Sequence, residues 1–177
     1  FFGIGALIVI ATSIAACAAT EYRINRWMLR RPSTLADGSA ILTGLLLAFN
    51  LPSNLPVWAV IIGSVVAIGI GKMAFGGLGC NIWNPALVGR VFLLISFPVQ
   101  MTSWPLPLVN GSEYFDAVTG ATTLGILKLG EADSASIDIL ASATGAIGGS
   151  LGEVSAIALL IGFIYLLCMK VITWHIP

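Results

Sequence analysis

VWAVIIGSVVAIGIGKMAFGGLGCNIWNPALVGRVFLLIS, residues 57–96, decides how the rest of the chain is read. Two apolar runs, Val57 to about Phe75 and Ala86 to Val99, flank a break, FGGLGCNIWNP (Phe75 to Pro85), rich in Gly and Asn. Glycines permit tight turns there. Asn84 followed by Pro85 predicts a helix start, with Asn84 as the cap and Pro85 in the first helical position. A 14-residue run such as Ala86–Val99 covers about 21 Å as a helix, less than the roughly 30 Å of a bilayer's hydrocarbon core. Short spans joined by broken backbone survive where the break is buried in protein or lines a cavity, as at the substrate sites of transporters with discontinuous helices. Two readings of the break stand. It is a piece of non-helical backbone packed at membrane depth, with no room for a side chain at Gly77 or Gly79, or it is an ordinary solvent-side loop.

Outward from this stretch lie three more apolar segments: Phe1 to Thr20, Gly38 to Leu51, and Val154 to Met169 with a continuation to Trp174. Together they predict an all-α, polytopic membrane protein. It would have about five transmembrane segments, some short or discontinuous, in a single transmembrane domain over residues 1–177. Composition agrees: 58% of the 177 residues are hydrophobic and 9% are charged, against about 25% charged in a soluble domain. Mean hydropathy is +1.00. The lipid bilayer is the natural partner of such a surface, and a net charge of zero offers no basic patch for nucleic acid. Lys72, near the end of its run, is expected to snorkel. Cys17, Cys80 and Cys168 form no close pair, so neither a disulfide framework nor a zinc site is expected. They read as small buried residues, Cys80 least so because it sits in the break. The chain reads as a piece of a longer protein, and its first run lacks the basic flank of a signal peptide.

The charges predict topology. Arg23, Arg26, Arg30 and Arg31 follow the first segment, Lys72 and Arg90 flank the break, and Lys170 follows the fifth segment. With five crossings all seven fall on one face, which the positive-inside bias makes cytoplasmic. The other face receives Asn50 to Pro56 and the segment 100–152. That segment carries Glu113, Asp116, Glu131, Asp133 and Asp138, with Lys128 its only basic residue, and is too long for a passive connector. No Asp or Glu stands in the middle of a run, which argues against a proton relay in these segments. Asp37 and Glu153, at segment edges, read as caps near helix starts.

Within the extracytoplasmic segment lies DAVTGATTL, Asp116 to Leu124. Gly120 and Ala121 carry almost no side chain and let another molecule approach the backbone beside Thr122. The one histidine, His175, falls on the opposite face in this topology, so a Ser/His/Asp-type triad is excluded within this chain. No residue is assigned a catalytic role and no metal site is expected. The Thr122 hydroxyl reads either as the cap of a polar turn or as the acceptor of a modification.

The stretch D-x-x-T-G-A-T, Asp116 to Thr122, resembles the recognition motif for covalent flavinylation, in which a transferase joins the phosphate of FMN to a threonine hydroxyl. The strings DGSAILTGLLL (Asp37 to Leu47), FGGLGCNIWNPALVGRVFLLISFPVQMTSWP (Phe75 to Pro105), DAVTGATTLGILK (Asp116 to Lys128) and GGSLGEVSAIALLIG (Gly148 to Gly162) resemble the D subunits of Rnf complexes. These complexes are ion-translocating ferredoxin:NAD oxidoreductases of prokaryotic inner membranes. The related B subunits of sodium-pumping NADH:quinone reductases are the near alternative, and LLISFPVQMTSW favours the Rnf side. Thr123 and Cys80 depart from what many relatives carry and leave the attachment motif intact.

The resemblance implies a fold of inverted halves similar to urea transporters, with electrons relayed between ferredoxin- or NAD-linked partners and coupled to Na+ or H+ translocation. It also implies FMN held as a phosphoester on Thr122. Asp116 would be read by the flavin transferase, and Thr119, Gly120 and Ala121 would complete the flavin-bearing motif. A second, noncovalent flavin such as riboflavin and other subunits of an Rnf-type complex are further implications. Trp104, Tyr114 and Phe115 stand near enough in sequence to stack on a flavin or to serve as interfacial belt residues. A secondary transporter or channel without redox activity is the competing reading, and the flavinylation motif distinguishes the two.

Overall fold

Gly44 and Gly89 show how closely these helices are packed. A Cβ at Gly44 would lie 2.8 Å from the Cα of Ile14, and one at Gly89 would lie 2.8 Å from the Gly63 carbonyl oxygen. Without water to drive apolar helices together, membrane helices associate through small residues that let their backbones touch. The computed structural model describes residues 3–32, 34–105, 128 and 139–175. Its α-helices are α1 (Gly3–Arg23), α2 (Ser39–Phe49), α3 (Val57–Gly69), α4 (Pro85–Ser96), α5 (Pro98–Met101), α6 (Ile139–Thr144) and α7 (Ala156–Cys168). A π-helical turn, Ile24–Met28, prolongs α1, and short 3-10 turns cover Leu35–Asp37 and Met73–Phe75. No β-strand occurs among the described residues.

The all-α expectation holds over the described residues, and each apolar segment read from the sequence overlaps at least one of these helices. Gly3–Met28 and Val57–Phe75 are long and apolar enough to cross a membrane, whereas α2, α4 and α7 are shorter apolar helices. α1 packs on α2 and α3, and α4 packs on α3 and α2. Their shared core includes Val9, Leu47, Leu51, Leu55, Val60 and Leu93, all fully buried. Ser13 donates its hydroxyl hydrogen bond to the Gly44 carbonyl at 2.7 Å, which fixes α1 against α2 at the point of closest approach. α7 has no buried residue among those described.

Several expectations are corrected. The break at 75–85 turns outward: Leu78, Ile82 and Trp83 are each more than 60% exposed. Nothing lies within 4 Å of a Cβ built at Gly77 or Gly79, but their φ angles are +106° and +86°. Glycine is needed there for its left-handed backbone and not for lack of space. Asn84 does cap α4, accepting the Ala86 N–H at 3.0 Å with Pro85 in the first turn. Asp37 accepts the Ser39 N–H at 2.9 Å at the start of α2. Glu153 does not cap α7. It accepts the Ser150 hydroxyl at 2.9 Å, while Ser155 caps α7 by accepting the Ala158 N–H. Cys17 is buried, but Cys80 and Cys168 are exposed. Arg90 does not serve the break end of the bundle. Its guanidinium reaches Asn50, at the far end of α2, at 2.8 Å, because a long side chain midway along a short helix spans half of it.

Both described ends of the segment 100–152 meet one loop. Asn54 Nδ2 donates to Ser103 Oγ at 3.4 Å. On the return side, the Leu151 and Gly152 N–H groups donate to the carbonyls of Leu51 and Phe49 at 3.3 and 2.9 Å.

Gly89→Ala should destabilise the protein by about 1–3 kcal/mol, because its methyl group meets backbone that cannot yield. Gly162→Ala, where nothing lies within 4 Å, should be neutral or slightly stabilising. Thermal unfolding of the detergent-solubilised variants compares the two.

Candidate functional site

The residues of the flavinylation motif, Asp116, Thr119, Gly120, Ala121 and Thr122, lie outside the described residues, as do Tyr114 and Phe115. Trp104 is described and half-buried. What the described part assembles is a buried charge pair that the sequence reading missed. α1 buries Gly5, Val9, Ser13, Cys17 and Glu21, one residue every four, the spacing of a single helix face. That stripe carries a carboxylate into the bundle at the end of α1.

Glu21 is fully buried and Lys72 is 2% exposed. Lys72 Nζ donates to Glu21 Oε2 at 2.6 Å and to Ser39 Oγ at 2.5 Å. Ser39 Oγ donates onward to Asp37 Oδ1 at 2.5 Å. The other oxygen of Glu21 accepts the Thr34 hydroxyl, and Asn25 donates to Thr34 at 2.8 Å. Lys72 thus does not snorkel. Taking either charge out of water alone costs several kcal/mol, so each is tolerated because the other is in contact and further bonds engage the Glu21 carboxylate and the Lys72 ammonium. Asp37, exposed at the end of the chain of bonds, is held below the ordinary carboxylate range by its hydrogen bonds from the Ser39 hydroxyl and N–H.

Donors and acceptors run without a gap from exposed Asp37 through Ser39 and Lys72 to Glu21. A cavity of about 320 Å³ adjoins the pair, with Ser39, Thr43, Lys72, Asn81 and Asn84 on its polar side. No Asp or Glu stands in the middle of an apolar run, but Glu21, one residue beyond the first run, was not singled out. Its position four residues after Cys17 and eight after Ser13 was the available signal. Chemically the arrangement keeps a neutral ion pair inside the bundle and links it by hydrogen bonds through Ser39 to exposed Asp37.

Closely packed apolar helices around a buried ion pair, beside a glycine-rich interruption, define an all-helical membrane protein with a polar site between its helices. The sequence profile of the NQR2, RnfD, RnfE family matches residues 1–177, and the chain belongs to that family. It is 47% identical to the D subunit of the Na(+)-translocating ferredoxin:NAD(+) oxidoreductase complex of Acetobacterium woodii, over 99% of this chain and 54% of that protein. It is 46% identical to the D subunit of the proton-translocating ferredoxin:NAD(+) oxidoreductase complex of Clostridium ljungdahlii, again over 99% and 54%. With the D subunit of the ion-translocating oxidoreductase complex of Stutzerimonas stutzeri it shares 42% identity over 97% of this chain and 54% of the relative. The chain thus spans about half the length of the curated relatives it matches.

Glu21→Gln should cost about 3–5 kcal/mol, because it leaves a buried ammonium facing a neutral amide. Adding Lys72→Met should recover most of that loss. Thermal unfolding of the two variants beside wild type checks both parts.

Proposed function

We propose that this chain is the flavin-carrying membrane portion of a D-type subunit in an ion-translocating ferredoxin:NAD oxidoreductase complex. The observation that carries the reading is the complete D-x-x-T-G-A-T string, Asp116 to Thr122, in a chain whose whole length matches the NQR2, RnfD, RnfE family. In this reading a flavin transferase reads Asp116 and links FMN to the Thr122 oxygen. Bound FMN supplies one- and two-electron redox chemistry, while the protein sets its position and surroundings. Gly120 and Ala121 leave space beside the attachment point, and backbone N–H groups around Gly120 serve the phosphate as a nest. The chain relays electrons and is not a stand-alone catalyst. A second flavin, riboflavin, and the neighbouring subunits of an Rnf-type complex belong to the same proposal.

The proposed setting is the inner membrane of a prokaryote, crossed about five times by this chain as part of a urea-transporter-like fold. The segment 100–152 and its flavin face the extracytoplasmic side. Support for that sidedness comes from the arginines after α1 and the acidic composition of 100–152. The two most similar relatives cited above carry names with different coupling ions, Na+ and H+, at nearly equal identity, so overall likeness does not choose the ion for this chain.

Thr122→Ala should abolish covalent flavin while leaving the protein inserted, read as loss of in-gel flavin fluorescence at unchanged membrane abundance. Fluorescence that persists would move the linkage to another hydroxyl, with Thr119 or Thr123 next. For sidedness, a cysteine replacing Ser112 in an otherwise cysteine-free protein should react with an impermeant maleimide added outside intact cells. Labelling only after the cytoplasmic face is opened would reverse the topology.

A further inference from the structure

The end of α1 carries a second polar site, built from cations. Leu29 N–H closes the π-helical turn onto the Ile24 carbonyl at 2.9 Å. Arg30 then adopts a left-handed backbone, φ 51°, and Arg31 N–H bonds back to the Asn25 carbonyl at 2.9 Å. A non-glycine residue in that conformation is uncommon and is held only where its surroundings demand it. Here the anchor is Asn25, buried and bonded to Thr34. The reversal folds Arg31 back beside Arg26, which stands one helical turn beyond Tyr22. Tyr22, Arg26, Arg31 and Pro32 line one open cavity of about 220 Å³.

No carboxylate serves these guanidiniums among the described residues. Glu21 is committed to Lys72 and Thr34, Asp37 is bonded by Ser39, and the single salt bridge there is Lys72–Glu21. The end of a helix offers only about half a negative charge, which does not match four arginines in nine residues. Guanidinium is the side chain best shaped to grip phosphate through two parallel N–H bonds, and a phenol adds a third donor. The cup also sits at the end of a helix long and apolar enough to cross a membrane. Beside it, Trp27 is 74% exposed, an amphipathic ring of the kind enriched at the lipid headgroup level, and Met28 is 79% exposed.

We propose that Tyr22, Arg26 and Arg31 form a binding cup for the phosphodiester of an anionic membrane lipid. The site is independent of the flavin reading, since it uses no residue of the motif. Clusters of basic residues next to a membrane helix attract anionic headgroups in general; the cup adds a shaped site to that diffuse attraction.

The test uses the full-length protein in a neutral detergent, titrated calorimetrically with short-chain phosphatidylglycerol, with phosphatidylcholine of the same chain length, and with inorganic phosphate. The variants are Arg26→Lys/Arg31→Lys, which keeps the charge and therefore the membrane orientation, and Arg23→Gln, which removes a charge outside the cup. Phosphatidylglycerol should bind wild type, and the double lysine variant should lose about tenfold in affinity because the forked donors are gone. Arg23→Gln should lose far less, and inorganic phosphate should not compete. Equal binding by wild type and the double lysine variant overturns the cup. So does a loss in Arg23→Gln as large as in the cup variant, because attraction would then be diffuse. Competition by inorganic phosphate would assign the site to a soluble phosphate and overturn the lipid source. Equal binding of phosphatidylcholine would do the same for the anionic headgroup.

Discussion

A carboxylate and an ammonium that water cannot reach must stay in contact, and three parts of this chain are placed by that requirement. Glu21 belongs to the end of α1, Lys72 to the turn after α3, and Ser39 to the first residue of α2. If any of the three moved away, a buried charge or hydroxyl would lose its partner in a medium that offers no substitute. The pair therefore fixes one end of the bundle. Direct backbone contact at Gly44 and Gly89 fixes its middle. Apolar packing alone would specify neither, since lipid chains are as apolar as the side chains they would replace.

Much of the fold was legible because the bilayer makes the signal coarse. Runs of apolar residues marked α1, α2, α4 and α7 to within three residues at each end, whereas α3 stops at Gly69, short of the run's end near Phe75, and no run marked α6. Asn84-Pro85 marked the start of α4 because a side-chain acceptor and a residue without an N–H suit only that place. What failed were several readings that depend on which way a side chain points. Lys72 was read as reaching for solvent, since length along the chain does not tell whether a carboxylate waits inside. Arg90 was assigned to the wrong end because a residue midway along a helix can reach either. Gly77 and Gly79 were read as close-contact glycines, but positive φ and lack of space leave the same letter in a sequence. Glu21 was within reach of a helical-face argument, yet an apolar run hides its own last polar residue. The flavinylation motif was legible as a string and owes nothing to the described geometry.

Charge held between apolar helices is costly, and contact with an opposite charge lowers that cost. A neutral pair connected to the surface by hydroxyls keeps it low without leaving an isolated charge behind. The cavity beside Lys72 lies where α2 meets the glycine-rich interruption, so a shift of that interruption would change what the ammonium faces.

The anchoring of the segment 100–152 has a consequence for its length. It leaves the bundle near Asn54 and returns at Phe49 and Leu51, so its two ends are tied to neighbouring points of one short loop. A closed excursion of this kind is a graft. Doubling the length of a flexible loop between two such fixed points adds only about 0.6 kcal/mol of closure entropy. A tether of this kind separates a change in length from the close contacts at Gly44 and Gly89 that hold the bundle.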